Sequence, residues 1–360
     1  MSSHVGAALL LPAALLLDAI LGDPRGLPHP VRLMGAVAVR VEPALRRHFP
    51  ARLAGLLGWV LVMGGSVIGA LALIQVASLV GGAIAPLIGQ ANEGGVAAGR
   101  WVGRWAASVY LVYVSIAPRD LATHALGVVR ALRNEKFPAD TSSGLAAGRK
   151  AVSMIVGRDV EALDEAGILR ATVESVAEST VDGVCAPLFW ALVLGPAGAI
   201  AYRAANTLDS LWGHRDKRWL LFGGLAARAD DVLNWLPARL SFLVCLLASA
   251  LLAPFSRGRI DAVAALRLGW RDRRKHESPN AAWLEAAFAG ALGLALGGPA
   301  WYQGQKVDKP TLGEARREIE RADAVWAVAL MYGSTLIFVA IGVLATIFVS
   351  RVMISGGYRS

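Results

Sequence analysis

The chain has 360 residues, of which 55% are hydrophobic and only 18% charged, and its net charge is +9. Soluble domains carry about 25% charged residues, so this composition excludes an ordinary soluble domain, and two cysteines without a CxxC spacing exclude a disulfide or zinc framework. The basic excess is not interleaved with aromatics on a polar domain, which sets nucleic-acid binding aside and leaves the positive-inside bias of membrane proteins as its explanation.

Asp, Glu, Lys and Arg are absent from Leu53–Asn92, Gly183–Tyr202, Leu240–Ser256, Ala286–Gln305 and Ala324–Ser350. A spanning helix needs about 20 apolar residues, which the first and last runs exceed. In chain order, Val5–Leu21 predicts a retained first helix rather than a signal peptide: no Lys or Arg precedes it, Asp18 lies inside it, and no small-residue cleavage site follows. A first polar loop, Gly22–Arg52, holds Arg25, Arg32, Arg40, Arg46, Arg47 and Arg52. Leu53–Ile74 reads as a span, Ala77–Gln90 as a second short apolar helix, and Trp101–Ala117 as a return span anchored by Trp101, Trp105, Tyr110 and Tyr113. Within a single integral-membrane domain (1–360), the polar segment 118–182 is long enough for a helical subdomain, with helices at Leu145–Met154 and Leu163–Val181. Arg203–Arg239 and Arg257–Asn280 are the third and fourth loops. In Trp301–Asp323, Thr311 and Glu314 form a capping box, predicting a helix that runs on into the final span, Val325–Val349.

The arginines of the first two loops favour the cytoplasmic side, and the third and fourth loops, also rich in Arg and Lys, share it if the same bias holds. Gly183–Ala201 then is no simple crossing, and Leu194, Gly195 and Pro196 break it in the middle. The fold class expected is all-α: a polytopic helical membrane protein whose broken or re-entrant segments gather several loops over one site.

The most informative stretch is ESVAESTVD. Its carboxylates Glu174, Glu178 and Asp182 recur every four residues, on one helical face, and no Lys or Arg occurs between Arg170 and Arg203. Acids entering an apolar run call for a cation. Mg²⁺, which takes one or two carboxylates plus phosphates, is one reading; a solvated face, or pairing with arginines of other loops, is the other. Asp230 and Asp231, with Asn234 one turn on, suit Mg²⁺ or a helix start carrying acids at its positive end. Asn206 and Asp209 are close on a helix before a basic turn, where His214 is read as merely exposed. Prolines around His29 and Arg32 make a rigid loop that suits ligand contact as well as helix termination. Arg149 and Lys150 follow Gly148, and Arg158 follows Gly157, a pattern that suits phosphate contact although no P-loop is present. Ser278 and Pro279 read as the N-cap and N1 of a helix beside Arg271, Arg273, Arg274 and Lys275, an anion site or a charge anchor. Cys185 and Cys245 read as buried free thiols.

Taken together, LLLDAILGDPRGLPHPVRLMG, GRKAVSMIVGRD, VESVAESTVDGVCAPLFWALVLG, AYRAANTLDSLWGHRDKRW, FGGLAARADDVLNWLPARL and RKHESPNAAWLEAAFAGALGLALGGPAWYQG resemble, in order, the CobD/CbiB family of cobalamin-biosynthesis membrane proteins. The likeness covers most of the chain; Val160, Ser179 and Arg203 stand where the family commonly has Thr, Asn and Lys. The resemblance implies ATP-dependent amide formation between a propionate of adenosylcobyric acid and the amine of (R)-1-aminopropan-2-ol phosphate or a related amino-alcohol phosphate. ATP and Mg²⁺ are the cofactors it implies. On that reading Glu174, Glu178 and Asp182 hold metal, with Asp230 and Asp231 as a second cluster. Arg149, Lys150, Arg158, Arg274 and Lys275 meet phosphates, and Asn206 and Asp209 complete the cofactor-binding set. Glu174, Glu178 and His29 are the expected catalytic groups, a carboxylate or His29 taking the proton of the amine. Expected with it are a bacterial cytoplasmic (inner) membrane location, cytoplasmic active-site loops, self-association, and contact with other late cobalamin-pathway membrane enzymes. The rivals are a membrane-embedded Mg²⁺-dependent prenyl- or phospho-transferase and a transporter. The transporter is disfavoured because only Asp18 and Glu285 stand as mid-span candidates.

Overall fold

A computed structural model describes residues 3–23, 29–133, 141–214 and 216–356; Pro24, Arg25, Pro28 and Arg215 lie outside them. In chain order the helices are α1 (Ser3–Leu21), α2 (Pro30–His48), α3 (Ala51–Ile84), α4 (Glu93–Tyr113), α5 (Pro118–Arg133), α6 (Thr141–Val152), α7 (Glu165–Thr180), α8 (Ala186–Trp212), α9 (Gly224–Leu252), α10 (Ala262–Asp272) and α11 (Ala281–Leu292). A hairpin of β1 (Ala295–Tyr302) and β2 (Gln305–Gly313) precedes α12 (Arg321–Gly356). The chain is thus an all-α polytopic membrane protein carrying one small antiparallel ribbon. Four helical stretches are long and apolar enough to cross a bilayer: Ala51–Ile88, Glu165–Trp212, Gly224–Phe255 and Arg321–Val352. Leu56, Val60, Ile68, Leu71, Leu344 and Phe348 point outward from them, as lipid-facing positions do.

The chain divides into two compact units. The first comprises Met1–Ala117, Ala186–Leu233 and Val339–Ser360. Here α3 runs unbroken where the sequence reading put a span and then a second helix at Ala77–Gln90. Nothing in that stretch breaks a helix before Ala85–Pro86, where one 3₁₀ turn ends it. The loop expected at Gly22–Arg52 is likewise mostly helix, because Pro30 occupies the first position of α2 and opens it. The expected return span falls in α4, whose Arg100 and Arg104 keep it out of the four apolar stretches. α3 and α4 cross on small residues: a β-carbon at Gly103 would stand 2.0 Å from the Ala77 carbonyl oxygen, and one at Gly81 2.2 Å from that of Gly99. α8 is bent as foreseen, with Gly195 left-handed (φ 71°) immediately before Pro196.

The second unit comprises Pro118–Cys185 and Asn234–Phe338, joining the polar segment 118–182 to residues well downstream. α5, α6 and α7 pack around Val128, Val129, Leu132, Val152 and Ile168, all buried. Cys185 and Cys245 are buried free thiols. Two expected helix starts move. Thr311 lies in β2, paired with Gly297, and Glu314 bonds Arg267 and Arg271, so no capping box forms and the helix begins only at Arg321. The chain instead reverses at Gln303 and Gly304, both with positive φ, the backbone a two-residue hairpin turn requires. α11 begins at Ala281, after Asn280 rather than Ser278. The Asn280 side chain accepts from Arg239 at 3.0 Å and makes no cap.

Asp272, at the end of α10, anchors β2. Its fully buried carboxylate takes both Nε and Nη2 of Arg271 (2.7 and 2.8 Å), Lys275 Nζ (2.8 Å) and the Gly313 amide (2.8 Å). Burial alone would raise the Asp272 pKa, but these donors outweigh it and hold the carboxyl below its ordinary range.

Two outcomes are expected. Gly103→Val should cost the α3–α4 crossing about 1–3 kcal/mol by overpacking, read as a lower melting temperature in detergent. A carboxyl with a depressed folded pKa contributes stability that is present above its unfolded value of about 3.9 and lost as pH falls toward the folded one. Asp272→Asn should therefore lower stability at neutral pH by about 2–3 kcal/mol and flatten the loss of stability below about pH 4. Parallel pH profiles for variant and parent would acquit Asp272 as the acid-sensitive group.

Candidate functional site

α7 enters on Asp164, whose side chain caps the Gly167 amide at 2.7 Å. It carries Glu174 and Glu178 one turn apart. Glu174 is buried (6% exposed) and fully engaged: one oxygen accepts from Arg158 Nη2, the other from the Gly297 amide of β1 at 2.6 Å. Burial alone would lower the Arg158 pKa; its ion pair and hydrogen bond with Glu174 outweigh that and keep the guanidinium charged. Glu178 is exposed, and Glu285, on α11, is buried. Glu174, Glu178 and Glu285 lie within electrostatic reach of one another, and Arg158 and Lys309 are the cations that face them. Neither Glu178 nor Glu285 forms a hydrogen bond or ion pair among the described residues. Lys309 Nζ stands 5.0 Å from the centre of the Tyr302 ring, in cation–π contact.

The hairpin that presents Lys309 is clamped by Asp159. Its two oxygens accept from the amides of Gln303 (3.0 Å) and Gly304 (2.8 Å), while its own amide donates to the Trp301 carbonyl (2.8 Å). The 158–159 dipeptide thus places a guanidinium on Glu174 and fixes the hairpin turn.

A second polar group lies in the first unit. Arg203 Nη1 donates to Asn206 Oδ1 (3.4 Å), and Asn206 Nδ2 donates to Asp230 Oδ1 (3.3 Å), linking α8 to α9. Asp230 is buried and Asp231, next to it, half-buried. His29, the residue before α2, stands 3.9 Å from Asp23. Burial, with Arg32 and Arg203 nearby, lowers the His29 pKa against the opposing pull of Asp23, so the imidazole is neutral at pH 7 and able to accept a proton.

The structure therefore brings Arg158, Glu174 and Glu178 together in one unit and Asn206 and Asp230 together in the other. Asp231 adjoins Asp230 in sequence, and the other expected residues are placed as follows. Asp182 falls in the π-helical turn Val181–Cys185, which takes it off the regular α-helical face of Glu174 and Glu178. Arg149 Nε donates to the Leu163 carbonyl (2.8 Å), while Lys150 is exposed. Asp209, in the last turn of α8, lies against Gly213. Lys275 is bound to Asp272 and Arg273 stacks on Trp270, leaving Arg274 exposed. Lys309 carries no sequence signal. Glu285 does, as the one acid of an apolar helix.

Among the described residues, no three His, Cys, Asp or Glu side chains stand together as a ready metal site. Mg²⁺ that arrives with a nucleotide keeps several waters and takes only one or two carboxylates. Glu178 and Glu285, oxygen donors without protein partners, fit that role; Glu174, with both oxygens occupied, does not. Freeing the hairpin turn should be measurable: Asp159→Ala should raise amide exchange at Gln303 and Gly304 roughly tenfold and cost about 1–2 kcal/mol. Unchanged exchange would show that the turn holds without the clamp.

The family model described as CobD/Cbib protein matches residues 11–331. The cobalamin biosynthesis protein CbiB of Salmonella arizonae is 40% identical over 94% of this chain and 97% of its own length. CbiB of Salmonella typhimurium is 41% identical over 91% and 94%, and CobD of Yersinia enterocolitica 40% identical over 90% and 93%. No solved structure matches.

Proposed function

From the premise that this chain belongs to the CobD/CbiB family of cobalamin-biosynthesis proteins, we propose that it catalyses adenosylcobinamide-phosphate synthesis. In that reaction a propionate carboxylate of adenosylcobyric acid is joined, at the expense of ATP, to the amine of (R)-1-aminopropan-2-ol phosphate or a related amino-alcohol phosphate. The observation that carries the reading is that Arg158 and Lys309 lie within electrostatic reach of Glu178 and Glu285. Membership of a cobalamin-biosynthesis family supports this reading over the rival prenyl- or phospho-transferase.

A carboxylate is a poor acylating agent. Transfer of the γ-phosphoryl group to a carboxylate oxygen releases ADP and leaves an acyl phosphate. The amine nitrogen then attacks the acyl carbon, the C–O bond to phosphate breaks, and inorganic phosphate departs. Mg²⁺ bound with ATP supplies charge neutralisation at the phosphates, and Glu178 and Glu285 are the carboxylates that would hold it. Lys309 and Arg158 contribute positive charge to the same phosphate oxygens. Glu174 orients Arg158 and seats the hairpin. The ammonium must shed a proton before attack, and the carboxylate of Glu178 suits that role. We place the enzyme in the bacterial cytoplasmic membrane with these loops in the cytoplasm, where ATP is available.

Purified protein supplied with adenosylcobyric acid, ATP, Mg²⁺ and the amino-alcohol phosphate should form adenosylcobinamide phosphate and ADP in equal amounts. Glu178→Gln should lower kcat by about a hundredfold or more, the scale of a lost general base or charge-neutralising group, while leaving the melting temperature unchanged. Product formation by the variant at the parental rate would remove Glu178 from the chemistry; no product from the parent would overturn the reading itself.

A further inference from the structure

Beside the glutamate cluster, wholly within the second unit, lies a cavity of about 360 Å³. One wall is the segment from Arg158 to the first turns of α7, the other is β1, with Pro299 and Trp301 as its apolar side. Both walls are held in place, by Glu174 on the Gly297 amide and by Asp159 on the hairpin turn. The cavity is therefore preformed, as small-molecule sites usually are.

Its charges are arranged unevenly. Arg170 lines it, is only partly exposed, and forms no hydrogen bond or ion pair among the described residues. A guanidinium without a protein partner is available to a ligand, and its planar fork of five donors is matched best by phosphate or carboxylate. Arg158 lines the same space and spends Nη2 on Glu174. On the rim, Glu161 uses one oxygen on the Val160 amide at 3.0 Å and keeps the other. Two cations and a carboxylate with one unused oxygen make a receptor for an anion joined to an ammonium group. At about 360 Å³ the cavity is near the lower end of the roughly 300–1,000 Å³ range of ligand sites, too small for a corrin or an entire nucleoside triphosphate.

We infer that this cavity binds a small phosphomonoester bearing an amine, with Arg170 as the phosphate ligand and Glu161 as the ammonium ligand. The inference rests on the reaction proposed above in one respect: it makes this ligand the amine co-substrate of that reaction. Arg158 then joins the two places, since it lines the cavity and is bonded to the glutamate cluster. Arg170 and Glu161 are specificity residues, outside the phosphoryl-transfer step.

Calorimetric titration of the full-length protein in detergent with phosphoethanolamine and with inorganic phosphate tests the assignment. Parent protein should bind both, phosphoethanolamine more tightly. Arg170→Ala should weaken both by roughly tenfold or more, the loss of a bidentate charged contact. Glu161→Gln should weaken phosphoethanolamine alone. If the alanine variant does not fold, Arg170→Gln, which retains the stem, gives the same readout. In turnover, Arg170→Ala should raise KM for the amino-alcohol phosphate and leave KM for ATP unchanged. Binding unaffected by either Arg170 substitution, or a rise confined to KM for ATP, overturns the inference while the proposed reaction stands. Arg170-dependent binding in a protein that forms no amide overturns the reaction while the site stands.

Discussion

Glu174 sits in the body of the second unit, on a helix that carries no basic residue from its midpoint onward. A carboxylate so buried is tolerated only when its charge is met by a cation and its lone pairs by donors. One comes from 16 residues upstream, the other from 123 residues downstream. Arg158 supplies the charge, and the Gly297 amide supplies the remaining hydrogen bond. That single requirement draws the 158–159 loop and the 295–313 hairpin onto α7, and with them Lys309, Trp301 and the cavity wall. The pair is not a large source of net stability, since desolvation offsets much of the attraction. Its effect is on geometry, because any other placement of the hairpin leaves a buried carboxylate oxygen without a donor.

The same constraint separates two carboxylate roles on one helix. Glu174 and Glu178 are one turn apart, yet one is saturated by protein donors and the other is open. Glu285, brought alongside from α11, is buried without a protein partner. In the proposed reaction, phosphate groups with their accompanying Mg²⁺ would meet both signs of charge at once. Membership of a cobalamin-biosynthesis family, on relatives about 40% identical along nearly their whole length, fits such an arrangement.

The first unit is built on a different principle. Its helices pack on small residues, with backbone approaching backbone where α3 meets α4. Packing of this kind needs no hydrophobic drive between helices and so operates within lipid. Against that scaffold the polar chain Arg203–Asn206–Asp230 links α8 to α9. The break at Gly195 lets α8 change direction without losing its helical hydrogen bonding on either side.

Much of this was legible in the residues alone. Charge-free runs mark the four long apolar helices, because hydrocarbon admits only a narrow range of length and composition. The break at Gly195, the helices of the polar segment, and Glu174, Glu178 and Arg158 as marked residues all follow from local rules. The errors also have local causes. Ala77–Gln90 reads as a helix separate from α3 because periodicity does not reveal where one apolar helix ends and another begins. Thr311 and Glu314 satisfy a capping pattern, but their partners, Gly297 and two arginines of α10, lie some 14 to 47 residues away in sequence. No local pattern competes with such pairings. Tertiary structure alone decided which charges share a neighbourhood: that Arg158 belongs to Glu174, that Lys309 lies within electrostatic reach of Glu178 and Glu285, and that Arg170 lines a cavity. Composition dictates where polar groups must avoid lipid; only the folded chain determines which of them satisfy one another, because that depends on distances between segments that the linear order does not contain.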